Sequence, residues 1–263
     1  MVAHLIPYVG SDHKAPSREK ALAREIQLLG LRKDHKLQKI YPLKKHTEIT
    51  ITGDGSHTLF VPELNEHYHS VHGAIQESEF IFIKSGLDYF RSDHLRIFEV
   101  GFGTGLNALL TCIRAIARKR EIYYESIEKN PLPRYLTDSL NYKDLVGTEN
   151  GRIFEQLHSC DWNVTCRITN NFTLLKIKGD LITSEIFGLF DLIYFDAFGP
   201  DKQPEMWSDN VFEKISGITA RNGILVTYSA KGTVQRALKK HGFEVSLLPG
   251  PPGKRQIIRA IKI

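Results

Sequence analysis

Ile97-Phe-Glu-Val-Gly101-Phe-Gly103-Thr-Gly105-Leu-Asn107 is the stretch on which the reading of this chain turns. A mostly apolar run of strand character ends at Val100, three alternating glycines follow, and an apolar helical pattern starts at Leu106. Glycine suits such a turn because the backbone must reverse tightly and admit a ligand with no Cβ in the way. Outward from this point, strand and helix signals alternate. The pattern predicts strands at 96–100, 122–128, 172–178, 192–196, 223–229, 244–248 and 256–261, with helices at 105–118, 131–140, 182–188, 208–218 and 231–241. Only Pro249-Gly-Pro-Pro-Gly-Lys-Arg255 separates the last two strands. That is too short for a parallel crossover, so they are expected to pair antiparallel. The fold class is α/β, with five parallel strands closed by a terminal antiparallel hairpin.

The region before residue 96 reads differently. Glu48-Ile-Thr-Ile-Thr52, a turn at 53–56 and Thr58-Leu-Phe-Val61 form a β-hairpin pattern, and a helix is expected around 75–85. Further upstream, Ser17 can cap a helix carrying Leu22, Ile26 and Leu29 before Gly30, and 31–45 is highly charged. Three regions are expected: a basic extension over 1–45, a small β-rich accessory region over 46–95, and the main α/β domain over 96–263. Charge follows the same division. Residues 1–45 hold ten Lys/Arg against four Asp/Glu, 46–230 hold 17 against 25, and 231–263 hold eight against one. Two basic ends around an acidic middle suit a polyanionic partner. Composition excludes other classes: 41% hydrophobic and 25% charged residues argue against disorder. No apolar run approaches the roughly 18 residues of a membrane span. Three cysteines make no disulfide framework, so a reduced, cytoplasmic protein is expected.

The glycine turn is not the dinucleotide fingerprint G-x-G-x-x-G, since its third glycine comes one residue early and Leu106 stands in its place. Glu99 would also sit poorly beside a pyrophosphate, but well beside an ammonium. The pattern E-x-G-x-G-x-G resembles the first motif of class I methyltransferases, whose Rossmann-like sheet has the layout deduced above and whose methyl donor is S-adenosyl-L-methionine (AdoMet). Glu128 ends the second strand, where a carboxylate can accept two ribose hydroxyls, and Asp180 follows the third. Asp196 ends the fourth strand in Asp191-Leu-Ile-Tyr-Phe-Asp196-Ala-Phe198-Gly-Pro200. A carboxylate there can orient the N–H bonds of an amine and take up its proton, leaving the lone pair free to attack a methyl group. Phe198 can stack on a base or face a cation.

Downstream the resemblance becomes specific. The runs D-A-F-G-P-D-K-Q-P-E-M-W and E-V-G-F-G-T-G-L-N, with the ending T-Y-S-A-K-G-x-V-x-R-x-L-x-x-x-G-F, resemble the MnmC methyltransferase family. Tyr68-His-Ser-Val-His-Gly-Ala-Ile-Gln-Glu77-Ser78-Glu resembles that family's N-terminal block. The family modifies the wobble uridine of bacterial tRNA. The resemblance implies conversion of 5-aminomethyl-(2-thio)uridine at position 34 to the 5-methylaminomethyl form. It implies AdoMet bound by Glu99, Gly101, Gly103, Gly105, Asn107, Glu128 and Asp180, with Asp196 catalytic and Phe198 and Trp207 lining the nucleobase pocket. The two-part members continue into an FAD-dependent oxidase; ending at Ile263, this chain is similar to the stand-alone type, which uses no flavin. The first 45 residues lie outside the resemblance.

Lys231, Arg236, Lys239 and Lys240 recur at helical spacing, and Lys254 and Arg255 occupy the Pro/Gly-rich tip. These are candidate contacts to the phosphates of a tRNA anticodon loop. His67, His69 and His72 cluster without the spacing of a zinc site, so no metal is expected. Two other classes fit the fold: an aminopropyltransferase of the spermidine synthase type, whose G-G-G-D-G loop is absent, and a non-catalytic RNA-binding protein. The set Glu99, Glu128 and Asp196 argues against the second.

Overall fold

The computed structural model of the protein describes residues 47–263; the helix expected after Ser17 and the basic extension lie outside them. Eleven strands form two sheets among these residues. The small sheet contains β1 (Glu48–Ile51), β2 (His57–Val61) and the two-residue β3 (Glu66–His67). The expected hairpin is present, with Ile51 paired to His57 across the turn. In that turn the Asp54 carboxylate accepts the Ser56 N–H at 3.0 Å, the local bond by which aspartate favours a reversal. Next comes α1 (Ala74–Ser78), which continues into a π-helical turn (Glu79–Lys84). It delivers Ile81, Phe82 and Ile83 into the interior.

The large sheet runs β10-β11-β9-β8-β4-β5-β7-β6. Its strands are β4 (His94–Val100), β5 (Glu121–Glu128), β6 (Thr165–Thr169), β7 (Phe172–Lys178), β8 (Phe190–Phe195), β9 (Thr219–Thr227), β10 (Phe243–Pro249) and β11 (Gln256–Lys262). The five expected parallel strands are β7-β5-β4-β8-β9. The terminal hairpin pairs antiparallel, β11 against both β9 and β10. This is the class I methyltransferase layout expected from the strand signals. Ile97, Leu192, Tyr124 and Leu109 pack into one core, together with Leu59, Ala74 and Phe82 from the N-terminal segment. Phe98, Val100, Phe195 and Phe212 form another. Alternate residues of β4 thus enter both cores, as expected of a strand buried on both faces, and each large side chain contributes roughly 1.5–3 kcal/mol.

The helices are α2 (Leu106–Arg118), α3 (Arg134–Asp138), α4 (Tyr142–Leu145), α5 (Thr148–Ser159), α6 (Asp209–Ile218) and α7 (Gly232–Lys240). Several features depart from the sequence reading. The stretch 182–188 forms turns and no helix. There the Lys214 ammonium donates to the carbonyls of Leu181, Ile182 and Ser184 at 2.7–2.9 Å, satisfying acceptors that a helix would have paired internally. Strand β3, helices α4 and α5 and the antiparallel edge strand β6 are additions.

The chain passes from β4 to β5 on one side and later returns to β8 on the other. The carboxyl ends of β4 and β8 therefore face the point where strand order reverses, the position at which open α/β sheets bind ligands.

Candidate active site

At that edge, Gly101, Gly103 and Gly105 have φ of +91°, +49° and +75°. All three lie in the left-handed region that favours glycine. A Cβ on Gly101 would stand 3.0 Å from the Asp196 carbonyl, and one on Gly103 would meet the Tyr68 ring at 3.1 Å. Glycine thus lets the turn after β4 close onto the end of β8.

Glu99 is fully buried one residue before the end of β4. Its Oε2 accepts the Ser126 hydroxyl at 2.7 Å. Its Oε1 makes no well-formed hydrogen bond among the described residues, and neither do the buried Oδ1 of Asn107 and the buried hydroxyl of Tyr124. Burial pushes the Glu99 carboxyl up to about 8 and the nearby Asp196 charge adds to this, while hydrogen bonding from Ser126 and the neighbouring Asn107 and Tyr124 opposes it. Two buried acceptors beside a glycine turn, neither with a well-formed bond, are a place for a cationic donor.

Asn107 enters the site differently from expectation. Its Nδ2 donates to Asp196 Oδ2 at 2.8 Å, so it orients the catalytic candidate directly. Asp196 is partly exposed, and its N–H donates to the Val100 carbonyl at 3.1 Å. The surrounding protein pushes its carboxyl up to about 7 and the Glu77 charge adds to this, while Asn107 and Lys254 oppose. A carboxylate near 7 can both hold and release a proton at neutral pH.

Glu128 accepts the Gly103 N–H at 3.1 Å and the Asn130 N–H at 2.7 Å, so it ties β5 to the glycine turn. Each oxygen retains a lone pair for a further donor. Asp180 lies at the same edge, but its first partners are protein groups. Its Oδ1 accepts the Ile182 N–H at 2.9 Å and its Oδ2 holds the Lys129 ammonium at 2.8 Å, which keeps its carboxyl below the usual range.

Phe198 is partly exposed, with the Tyr68 ring edge-on at 5.0 Å. Trp207, expected from the resemblance to line a pocket with Phe198, is partly exposed. Its indole N–H donates to the Phe198 carbonyl at 2.7 Å, and its ring packs edge-on against Phe195 at 4.9 Å. It thereby braces the Phe198 backbone. Lys254, expected on a rim for phosphates, is engaged by protein groups. Its ammonium lies 3.1 Å from Glu77 Oε1 and 4.7 Å over the Tyr228 ring. Arg255, next along the tip, is exposed.

Sequence reasoning assigned no role to Glu77, Tyr68 or Tyr228, although each lies in a quoted run. Their part is visible only when the N-terminal segment and the C-terminal hairpin meet at this edge. The three histidines are separate: His67 packs on Phe60 and His69 bonds the Thr104 hydroxyl at 2.8 Å. Among the described residues no group of three or more His, Cys, Asp or Glu could hold a metal ion.

Residues 152–263 match the family described as S-adenosyl-L-methionine-dependent methyltransferase. The chain is 28% identical over 218 residues to the tRNA 5-methylaminomethyl-2-thiouridine biosynthesis bifunctional protein MnmC of Campylobacter fetus, covering 81% of this chain and 35% of that protein. It is 31% identical over 229 residues to the protein of the same name from Cupriavidus metallidurans, covering 80% and 33%. The chain therefore spans about a third of the length of these relatives. The crystal structure of MNMC2 from Aquifex aeolicus superposes with a TM-score of 0.69 at 24% identity, covering 92% of this chain and 82% of that one.

Proposed function

We propose that this relative of the MnmC proteins is an AdoMet-dependent N-methyltransferase that converts 5-aminomethyl-(2-thio)uridine at the tRNA wobble position to 5-methylaminomethyl-(2-thio)uridine. The observation that carries the reading is Asp196, held by Asn107 at 2.8 Å beside a glycine turn whose neighbouring Glu99 has an oxygen in no well-formed hydrogen bond. The likeness to proteins named for 5-methylaminomethyl-2-thiouridine biosynthesis supplies the substrate.

AdoMet supplies an electrophilic methyl group on a sulfonium. Glu99 would accept its methionyl ammonium, the glycine turn would let its backbone lie close, and Glu128 would take the ribose hydroxyls. Asp180, with Lys129 alongside, would flank the adenine end. Asp196 accepts an N–H of the incoming amine, points the lone pair at the methyl carbon and takes up the proton. Most of the rate gain then comes from holding two reactants in line. Phe198, fixed through its carbonyl by Trp207, offers a face for the splayed uracil, because anticodon-loop bases are unpaired and can be drawn out. Arg255 and neighbouring basic groups would meet phosphates, making affinity fall with salt.

The test is incubation of the protein with AdoMet and tRNA bearing either the aminomethyl group or an unmodified wobble uridine, followed by nucleoside mass analysis. Gain of one methyl group on the aminomethyl nucleoside alone is expected. Asp196→Asn should lower kcat by about 10²–10⁴-fold while AdoMet still binds. Absence of transfer to the aminomethyl tRNA would overturn the reading.

A further inference from the structure

Outside the groups already assigned, one buried charge lies at the site without a role. Glu77 is 8% exposed on α1, far in sequence from the glycine turn. Its Oε2 accepts the Ser70 N–H at 2.7 Å, and its Oε1 meets the Lys254 ammonium at 3.1 Å. Lys254 projects from a rigid tip: the Gly250 N–H donates to the Arg255 carbonyl at 3.1 Å, and the Lys254 N–H to the Pro251 carbonyl at 2.9 Å. The tip also rests on the loop before α1, since a Cβ on Gly253 would run into the His72 ring. Beneath the ammonium, Tyr228 donates its hydroxyl to the carbonyl of Ala197, the residue after Asp196, at 2.9 Å. Glu77 is buried and Lys254 part-exposed, so the carboxylate left without its ammonium would be the costly half of the pair.

We propose that Glu77 and Lys254 are positioning residues for the methyl-accepting amine: their ion pair docks the tip of the C-terminal hairpin beside Asp196 and fixes the charge with which that carboxylate meets the substrate. This rests on the methyltransferase reading above. Asn107 on α2 bonds Asp196 directly, and the titratable groups near enough to couple with its charge are Glu99 on β4, Tyr124 on β5, Tyr228 after β9, Glu77 on α1 and Lys254 on the hairpin. His69 lies close enough to Glu77, Asp54 and Lys254 to feel their charges. Glu77 makes Asp196 harder to ionise and Lys254 makes it easier, Glu77 having the larger effect, so removing either charge moves the carboxylate in a defined direction.

Opposite charges in one pair give opposite signs when removed singly, which a merely structural contact does not. The experiment uses the full chain as wild type, Lys254→Met, Lys254→Arg and Glu77→Gln. The Asp196 carboxyl carbon is titrated by NMR in the free protein, assigned with Asp196→Asn, and the acid limb of kcat is measured on aminomethyl tRNA. Lys254→Met should raise the Asp196 midpoint by about half a pH unit or more, Glu77→Gln should lower it by a similar amount, and Lys254→Arg should restore it. The acid limb of kcat should move in the same directions. Midpoints that stay put, or that move the same way in both variants, would overturn the proposal. If Glu77→Gln fails to fold, the Lys254→Met and Lys254→Arg pair decides. A wild-type protein without methyl transfer would overturn the functional reading instead, while the carboxyl titration would still report whether the pair sets the charge on Asp196.

Discussion

Glu99 shows how one buried carboxylate can couple ligand binding to protons. With Oε1 in no well-formed hydrogen bond and the carboxyl pushed up to about 8, the ligand-free protein holds Glu99 largely protonated at neutral pH. A methionyl ammonium pairs with the ionised form, so binding AdoMet should expel a proton. Below about 8 that deprotonation costs free energy, and AdoMet affinity should therefore rise between pH 6 and 8. Calorimetry in buffers of different ionisation enthalpy measures the released proton directly. Glu99→Gln should abolish the release and lower affinity by about 10-fold or more, since a buried charged hydrogen bond is lost. Unchanged proton release in that variant would place the coupling elsewhere. Glu99 as a candidate ammonium partner could be picked out in the sequence from its place before three glycines, and the structure buries it beside that turn. The role of Asn107 could not be read there: it follows the same motif, but its target, Asp196, arrives from a strand 89 residues away.

At the scale of elements, the glycines separate backbone strain from packing. Gly105 and Gly147 both have positive φ but differ in ψ: +75° with 11°, the left-handed helical region, against +83° with 157°, a region open to essentially only glycine. A Cβ on Gly147 meets nothing, whereas one on Gly105 would lie 2.9 Å from His158 Nε2 and 3.1 Å from Phe102. Gly147→Ala should thus cost about 1–3 kcal/mol from its backbone alone, with AdoMet affinity unchanged. Gly105→Ala should cost about 1–2 kcal/mol from its backbone and about 1–3 kcal/mol more from packing, and weaken AdoMet binding, because His158 supports the turn through the Thr104 carbonyl at 3.0 Å. Denaturant melts and AdoMet titrations of the two variants compare these outcomes; a Gly105→Ala loss no larger than about 2 kcal/mol with AdoMet affinity intact would show that packing there is immaterial. The same geometry explains what the sequence concealed. Helix α5 reads as broken by Gly151, yet glycine is there because the Lys143 carbonyl of α4 would stand 2.8 Å from a Cβ. Strand β6 is short, polar and exposed along one side, too weak a pattern to stand out beside β7. The parallel strands were legible because burial on both faces demands near-continuous apolar runs.

For the whole molecule, the buried groups of the site set stability against each other as pH changes. His69 and His158 are held neutral by burial, both pushed down to about 4 from an ordinary 6.5. Their unfolded forms bind more protons between those values, so they make stability rise with pH up to about 6.5. Glu99 and Asp196 act in the opposite sense. Raised from 4.5 to about 8 and from 3.8 to about 7, they keep protons that the unfolded chain gives up, and stability falls as pH climbs through these ranges. Below about 6.5 the two pairs largely offset one another. Above it the histidines have no further effect, Asp196 acts to about 7, and Glu99 continues to about 8. The free protein should therefore have a lower Tm at pH 8 than at pH 6.5, with a slope near 1.4 kcal/mol per pH unit for each proton involved. Saturating AdoMet should flatten that slope, because an ammonium stabilises ionised Glu99, and Glu99→Gln should flatten it with no ligand present. Thermal melts across this range for wild type, wild type with AdoMet, and Glu99→Gln provide the comparison. A free wild-type protein as stable at pH 8 as at 6.5 would mean that Glu99 already has a counter-charge in the folded chain, and that its Oε1 is not where the ammonium binds.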